Sequence, residues 1–498
     1  MKKIPSFAAW LIIALSATAQ AGPTLPVFDT KLMTTTSTAP QSQRLTTLDI
    51  IGIGMVTEMF RQDQIWEKMQ QVGDQSILPT DPDSYQKDSS YRSIIMDKRS
   101  AEVMERGASH FLTKWPIPAV SIWSHCFKEE KPDEFHPGKT NYAFYYERIN
   151  DLRAPAGMHH HKIASLGAFF KDNPEEIMER AFLFFEQNPQ APALLLFVSD
   201  GDETRALTGD KSRAKHWEQG PRLFDAMTES MVTLLLTRRE RVDAMRNPAS
   251  FQASKYLPQA WTAEQLAVYD RLPTIATVHR PQRVSYWKDK DGKPTFDSKQ
   301  KVKTMSASEQ QAAVLAALKT SLTYGKPARI FYDAGSAATG KHIVPFSMAL
   351  QQSLPDFDLF DAKLSFNIHR RLGETGAASP FLQWVIAATA SYRQKGVSFT
   401  VNLRQADEAT ITVITPSDDK RKHPMGDPIS FQLAPEDGSP AQPNTVAVNE
   451  DSNAFAQSPA FDPDATLPPG FKRPSAQGFD FATWDPDSTL PPGVKRPI

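Results

Sequence analysis

Residues 173–200, NPEEIMERAFLFFEQNPQAPALLLFVSD, decide the fold class, because two kinds of periodicity follow one another within them. In the first part the apolar residues fall three or four positions apart, which is typical of one face of an amphipathic helix. Asn173-Pro174 favours a helix start and Asn188-Pro189 a helix end. The continuous apolar run at 194–198 then predicts a strand buried on both faces, as in a parallel sheet. A helix followed at once by a buried strand is typical of an α/β protein.

The same alternation extends toward the N-terminus and the middle of the chain. Residues 48–56 read as another buried strand, and a helix follows around Trp66. A second amphipathic helix is predicted from an apolar stripe made of Leu223, Met227, Met231, Leu234 and Leu235. Ser306 and Glu309 have the spacing of a capping box, so a helix is expected over 312–318 with a strand at 329–332.

The C-terminal part of this pattern ends in a different way. Ser379-Pro380 predicts the start of a helix that Gly396 ends. Apolar residues then alternate with polar ones over 399–413, with a turn at Asp407-Glu408, which predicts an antiparallel hairpin.

The length of the chain predicts more than one unit. At 498 residues it is too long for one ordinary core, and roughly 150–200 residues per unit is the usual size. We therefore predict two successive α/β units of the three-layer type, with mostly parallel sheet, at 46–270 and 271–433. The antiparallel hairpin closes the second unit.

The N-terminus resembles an export signal. Lys2 and Lys3 precede an apolar run from Phe7 to Ala19, and Ala19-Gln20-Ala21 has the form of a cleavage site. The run of 13 residues is shorter than the roughly 20 that a spanning helix needs, so no membrane span is expected in the mature chain. Residues 1–21 thus predict a periplasmic location; an unprocessed segment and a cytoplasmic chain are the alternative. Residues 22–45 read as a Thr/Ser/Pro linker.

Charge and cysteine content exclude several kinds of partner. The 56 Lys and Arg residues balance 57 Asp and Glu residues, so no overall field favours nucleic acid. Cys126 is the only cysteine, which excludes an internal disulfide and a Cys-rich zinc site. The sequence predicts no metal and no cofactor.

A duplicated motif lies in residues 434–498, whose Pro, Ser, Asp and Asn content predicts a disordered tail. The string D-P-D-x-T-L-P-P-G-x-K-R-P occurs at 462–474 and again at 485–497, each time directly after an aromatic residue. Each copy is either a peptide ligand for a partner or a segment that packs against the chain's own body. The predicted partner-binding residues are Phe461, Asp462, Asp464, Leu467, Lys472 and Arg473 in one copy and Trp484, Asp485, Asp487, Leu490, Lys495 and Arg496 in the other.

Two short motifs suggest chemistry. Asp200, Asp202 and Thr204 follow a buried strand as D-x-D-x-T, which resembles the first motif of haloacid-dehalogenase-type phosphohydrolases, where one aspartate attacks phosphorus and the other is acid/base. An acidic loop closing a strand is the alternative. Residues 335–341 have the G-x-x-x-x-G-K form of a phosphate loop, but His342 stands where Ser or Thr would hold magnesium.

Two stretches are similar to the type VI lipase adapter family of proteobacteria. One is Gly52-Ile53-Gly54 with the following Arg61-Gln62 and Ile65-Trp66; the stronger one is Arg371–Phe381, RLGETGAASPF, running into a helix. The likeness covers about 48–430 and omits the signal-like segment and the tail. The resemblance implies a non-enzymatic adapter or chaperone that binds a phospholipase-type toxin effector and helps load it onto a VgrG spike. A phosphohydrolase-like hydrolase using Asp200 and Asp202 is the alternative.

Overall fold

A computed structural model describes the central body of the chain. The described residues are 44–78, 121–125, 164–168, 174–204, 227–238, 273–335, 343–417 and 428–429, with gaps at 59, 190, 192, 203, 288–292, 302 and 406, and a few isolated positions besides. Residues 1–43 and 430–498 lie outside this set, so the signal-like segment and the tail motifs stay predictions. No helix in the described part is long and apolar enough to cross a bilayer.

Twelve strands and six helices make up the described body. The strands are β1 Thr47–Thr57, β2 Phe60–Arg61, β3 Ser121–His125, β4 Ala164–Ala168, β5 Ala193–Asp200, β6 Ser230–Thr237, β7 Ala276–His279, β8 Gln282–Ser285, β9 Pro327–Asp333, β10 Ser365–Asn367, β11 Val397–Asn402 and β12 Glu408–Pro416. The helices are α1 Gln62–Gln71, α2 Pro174–Gln187, α3 Ala307–Leu322, α4 Ile343–Ser353, α5 Ile368–Leu372 and α6 Ser379–Gln394. The mixed α/β class predicted from the sequence is confirmed.

All twelve strands belong to one sheet with an internal repeat. The order is β10-β9-β11-β12-β7-β1-β6-β5-β3-β4, with β2 paired to β1 and β8 to β12. The β1–β7 pair divides this order into two halves, β1-β6-β5-β3-β4 and β7-β12-β11-β9-β10. In each half the first strand in sequence lies beside the last, followed by the strand before the last and then by two earlier strands. Among the five strands of each half in this order, only the last strand, β6 or β12, runs against the others. The two halves therefore share one topology although their sequences show no clear repeat.

The prediction of a mostly parallel sheet is wrong for the described strands. Four pairings are parallel: β3–β4, β3–β5, β9–β10 and β9–β11. The other seven are antiparallel. The reversed strands β6 and β12 account for five of them, because β6 has two neighbours and β12 has three. The remaining two are β1–β2 and the β1–β7 pairing that joins the halves. A strand buried on both faces has the same continuous apolar pattern whichever way it runs, so composition did not reveal the direction.

The helix predicted over Leu223–Leu235 is also wrong where the structure describes it. Residues 230–237 form β6, every residue of which is buried between β1 and β5. A strand covered on both faces is apolar at nearly every position, so apolar residues also occur at the three- and four-residue spacing that is typical of a helix. Val232 and Thr233, which are β-branched, favour the strand.

In the part of the chain that the structure describes, the buried apolar side chains form two clusters. The larger one packs α1, α2 and α6 against the sheet and includes Trp66, Phe185 and Trp384. Helix α6 begins at Ser379, as predicted from Ser379-Pro380. All of its residues from Ser379 to Ser391 are buried, so it is a central helix of this cluster. The second cluster packs α3 and α4 against β9, β11 and β12. Helix α3 starts at the predicted capping box, in which the Glu309 amide donates to Ser306 Oγ and the Ser306 amide donates to Glu309.

Arg280, between β7 and β8, joins three parts of the fold. Its guanidinium donates to Glu179 and Glu186 of α2, with Nη1 2.6 Å from Glu186 Oε1, and to the Leu45 carbonyl at 3.0 Å. The Leu45 amide in turn donates to Glu186 at 2.7 Å. Burial alone would lower the pKa of Arg280, but hydrogen bonds and charge from Glu179 and then Glu186 outweigh it and raise that pKa.

His279 gives the fold a dependence on pH. Burial lowers its pKa from 6.5 to about 4. The folded state therefore resists protonation that the unfolded chain accepts, so stability present above pH 6.5 is lost as the pH falls toward 4. We expect His279 to account for a loss of about 2 kcal/mol in the free energy of unfolding between pH 7.5 and pH 5.

Urea unfolding at the two pH values tests this. In His279→Phe the loss of unfolding free energy between pH 7.5 and pH 5 is expected to be about 2 kcal/mol smaller than in the wild type, because phenylalanine does not titrate. The phenyl ring can still stack on Tyr324, whose ring centroid lies 4.0 Å from that of His279. An equal pH-dependent loss in the variant and the wild type would show that His279 is not the titrating group.

Candidate functional site

The stretch that carries the stronger family resemblance lies between α5 and α6. Residues 371–379, named here the GETG segment after Gly373–Gly376, leave α5 with Gly373 at φ +73°, form a 3₁₀ turn at Gly376–Ala378 and enter α6. Gly376 has φ +54°, and a Cβ there would overlap the Asp200 carboxylate and Met227. Glycine is therefore required at Gly376 both for the backbone conformation and for the close approach of Asp200.

Asp200, at the end of β5, holds this segment. Its side chain is buried, and its Oδ2 accepts a hydrogen bond from the Ala377 amide at 2.7 Å. Its Oδ1 accepts one from the Gly201 amide at 3.0 Å. The two backbone amides therefore hold this side chain in place inside the fold. The aspartate that the hydrolase hypothesis makes a nucleophile is thus engaged in fixing a loop contributed from 177 residues away.

Asp333, at the end of β9, holds the other end of the segment. Its Oδ2 accepts from Ser379 Oγ and lies 3.1 Å from Arg404 Nη1. Arg404 Nη2 also contacts Glu374, whose Oε1 accepts from the Gly376 amide at 2.9 Å. Burial would lower the pKa of Arg404, but the charges of Asp333 and Glu374 raise it, so this guanidinium stays charged between two carboxylates.

The residues before β6 close the network from the third side. The Thr228 amide donates to the Glu374 carbonyl at 2.7 Å, and Thr228 Oγ1 donates to the Leu372 carbonyl at 2.6 Å. Glu229 accepts from the Thr204 amide at 3.1 Å and from its hydroxyl, and the Glu229 amide donates to Glu58 at 2.8 Å. Thr204, the last residue of the D-x-D-x-T string, is therefore buried and bonded to Glu229 rather than facing an open cleft.

The second stretch of the resemblance packs against the first. The Arg371 guanidinium is fully buried, lies 4.4 Å above the Phe366 ring, and donates to the carbonyls of Met69 and Ala362. The Met69 carbonyl belongs to the last turn of α1, the helix that begins at Gln62 and is capped by Arg61. The Ile77 amide donates to the Arg371 carbonyl at 3.0 Å. Two motifs that are some 300 residues apart in the chain thus form one assembly.

Gln62 connects this assembly to the end of the described chain. Its Oε1 accepts from the Met55 amide at 3.0 Å, and its Nε2 donates to the Ile429 carbonyl at 2.8 Å. Ile429 is fully buried in the larger core cluster. The chain is therefore anchored beside α1 shortly before the tail begins.

The arrangement is built for holding backbone segments in place. The four acidic side chains at its centre, Asp200, Asp333, Glu229 and Glu374, are engaged by amides, hydroxyls or Arg404. Among the residues that the structure describes, no group of three or more His, Cys, Asp or Glu side chains could hold a metal. Lys341 and His342 of the phosphate-loop pattern lie outside the described residues, as do the twelve predicted tail residues.

The sequence indicated Asp200 and the GETG segment separately, but it did not predict the hydrogen bond between them. It also missed Glu229, Asp333 and Arg404. Asp333 and Arg404 each follow a buried strand, which is where the functional residues of open α/β sheets lie, so strand ends were the available signal. Their pairing depends on sheet order, which no local pattern contains.

The fold is similar to solved structures of ketosynthases, with low TM-scores and low sequence identity. The ketosynthase from module 6 of the bacillaene synthase of Bacillus subtilis 168 has 9% identity and a TM-score of 0.44, over 75% of this chain and 72% of that one. A type II PKS ketosynthase in complex with its acyl-carrier protein has 11% identity and a TM-score of 0.43, over 75% of this chain and 100% of that one. Identities and TM-scores this low carry no information about the function of this chain.

Two family models match the sequence. Residues 46–219 match the N-terminal part of the type VI lipase adapter protein Tla3, and residues 275–416 match its C-terminal part. Together the matches cover well over half of the chain and include both stretches on which the resemblance rests. The chain therefore belongs to the type VI lipase adapter protein Tla3 family.

Proposed function

We propose that this chain is a non-enzymatic adapter that binds a phospholipase-type effector of a type VI secretion system and helps load it onto a VgrG spike. Membership of the lipase adapter family is the observation that carries the proposal. The GETG segment supports the non-enzymatic part, because its acidic neighbours are engaged in binding the chain's own backbone. A binding protein needs such a rigid frame more than it needs a free acid or base.

The tail supplies the proposed docking peptides. Two copies of one motif on one chain raise the local concentration of the second copy once the first has bound, which increases avidity without new contacts. The aromatic residue before each copy, Phe461 or Trp484, would fill a pocket of the partner, and the prolines would reduce the ordering cost. The anchor of Ile429 beside Gln62 gives this tail a fixed point of departure.

Affinity capture from the native host tests the proposal. The tagged full-length chain is expected to retain a phospholipase-class effector, identified by mass spectrometry, together with VgrG. Deletion of 455–498, which removes both copies, is expected to lower capture about tenfold or more while the melting temperature is unchanged. Deletion of 437–450, which contains neither copy, is the matched control. Equal capture by both deletions would end the docking-peptide proposal, and absence of any lipase from the wild-type capture would end the adapter proposal.

The same sample tests the compartment. Loading onto a spike takes place in the cytoplasm, whereas residues 1–21 resemble an export signal. An intact mass that retains Met1 would support the loading step. A chain that starts at Gly22 would place the protein in the periplasm and contradict loading on a spike. Turnover of a phosphomonoester that is lost in Asp202→Asn would instead support the hydrolase alternative.

A further inference from the structure

A basic hairpin extends from the sheet between β8 and α3. Residues 293–301 and 303–305, named here the lysine hairpin, bond back to the residues just after β8 through the Thr295 amide, which donates to the Trp287 carbonyl at 2.9 Å. Within the hairpin, the Asp297 amide donates to the Lys301 carbonyl and the Lys303 amide donates to the Thr295 carbonyl, each at 2.8 Å. The hairpin is therefore an ordered projection of the sheet.

The acidic residue of the hairpin is used in its turn. Asp297 Oδ1 accepts hydrogen bonds from the Lys299 amide at 2.8 Å and the Lys301 amide at 2.9 Å, and Gln300 adopts φ +58°. This arrangement fixes the tip and places Lys299 at its end. The backbone of the hairpin is thus rigid enough to present its side chains in a defined pattern.

The hairpin carries a net positive charge on a protein that has almost none. Four lysines, Lys293, Lys299, Lys301 and Lys303, are exposed, against the single Asp297. Over the whole chain, 56 basic residues face 57 acidic ones. An exposed cluster with a net positive charge on a nearly neutral molecule produces a local field that orients an approaching partner of the opposite sign.

The two faces of the hairpin differ. Since Thr295 and Asp297 pair with Lys303 and Lys301, these four side chains share one face and Phe296 points to the other. Phe296 is 52% exposed, one of four large apolar side chains exposed in the described part of the chain. The hairpin therefore presents charge on one side and an aromatic ring on the opposite side.

We propose that the lysine hairpin inserts into an acidic cleft of the lipase effector, with Lys299, Lys301 and Lys303 against its carboxylates and Phe296 against an apolar wall. This inference rests on the proposed adapter function. A cleft contacts both faces of a hairpin at once, whereas a flat anionic membrane would contact the lysines or the ring. A net charge of three is also small for nucleic acid, whose binding depends mainly on the neutralisation of several phosphates.

Charge reversal tests the hairpin with the purified effector that the capture experiment identifies. K299E/K301E/K303E in the full-length chain is expected to raise the dissociation constant about tenfold or more at 50 mM NaCl, mainly through a slower association rate. The effect is expected to shrink at 300 mM NaCl, where the Debye length is shorter. The control K319E/K326E/K363E changes the net charge equally at exposed lysines elsewhere and is expected to change affinity less than about twofold. F296A is expected to weaken binding similarly at both salt concentrations, since its contact is apolar.

The outcomes separate this inference from the function on which it rests. If the wild type binds the effector and the two triple variants bind equally well, the hairpin is not the contact and the adapter function stands. If the wild type retains no lipase, both proposals fall. If K299E/K301E/K303E leaves effector binding intact but abolishes cosedimentation with vesicles containing 30% phosphatidylserine, the ligand is a membrane and the proposal is wrong.

Discussion

Replacement of Arg280 by methionine is expected to lower the free energy of unfolding by about 3–5 kcal/mol, because it leaves buried Glu186 without its cation and leaves Glu179 with only the exposed Arg44. Glu186 is 5% exposed and Glu179 18%, so water can replace little of the guanidinium's interaction at Glu186 and only part of it at Glu179. The substitution also removes the hydrogen bond to the Leu45 carbonyl, which holds the chain at the start of β1. Urea unfolding followed by circular dichroism at pH 7.5 measures the loss.

Arg44→Met is the matched control, because Arg44 contacts the same Glu179 at 3.4 Å but is 54% exposed. An exposed pair of this kind contributes about 0–1 kcal/mol. Adding Glu179→Gln and Glu186→Gln to Arg280→Met is expected to recover part of the loss, since the uncompensated charges are then gone. Equal losses for Arg280→Met and Arg44→Met would contradict the assignment of Arg280 as the buried link.

The elements with strong local signals were predictable from the sequence. The strand at 48–56, the helix after Asn173, the capping box at Ser306 and the helix starting at Ser379-Pro380 all appear in the structure near their predicted positions. Each has a property that short segments contain: continuous apolar character, a cap or an early proline. The mixed α/β class follows from these elements alone.

Strand direction and partner choice were not predictable in the same way. β6 was assigned to a helix because burial on both faces removes the alternation that identifies a strand. The antiparallel pairing of β1 with β7 joins residues about 230 positions apart, and no local pattern specifies it. The boundary between the two predicted units at 270/271 therefore stays a prediction, even though the strand order repeats on either side of the β1–β7 pair.

The candidate site illustrates the same limit. The sequence pointed to Asp200 through its strand and to the GETG segment through its glycines, as two unrelated features. Their hydrogen bond depends on how α6 and the two halves of the sheet fold together. A carboxylate at a strand end is equally consistent with a nucleophile and with a loop anchor. Only its partners, the amides of Gly201 and Ala377, favour the anchor.

Replacement of Arg371 by methionine is expected to destabilise the fold by about 3–5 kcal/mol, because it leaves buried carbonyls without donors and removes stacking on Phe366. Burial lowers the pKa of this guanidinium to about 10, yet it remains charged at neutral pH. Arg371→Lys is expected to recover little of the lost stability, since an ammonium group cannot reproduce the planar guanidinium that donates to both the Met69 and the Ala362 carbonyl. Thermal and urea unfolding measure both variants.

Arg370→Met is the matched control at the adjacent position. Arg370 is 65% exposed and pairs with Asp74, so its loss is expected to cost about 0–1 kcal/mol. Effector capture at a temperature where Arg371→Lys is still folded then separates stability from function. If the end of α1 and the GETG segment must be held together for binding, capture falls in Arg371→Lys and not in Arg370→Met. Normal capture by folded Arg371→Lys would mean that Arg371 only stabilises the fold, and that the effector binds elsewhere on the chain.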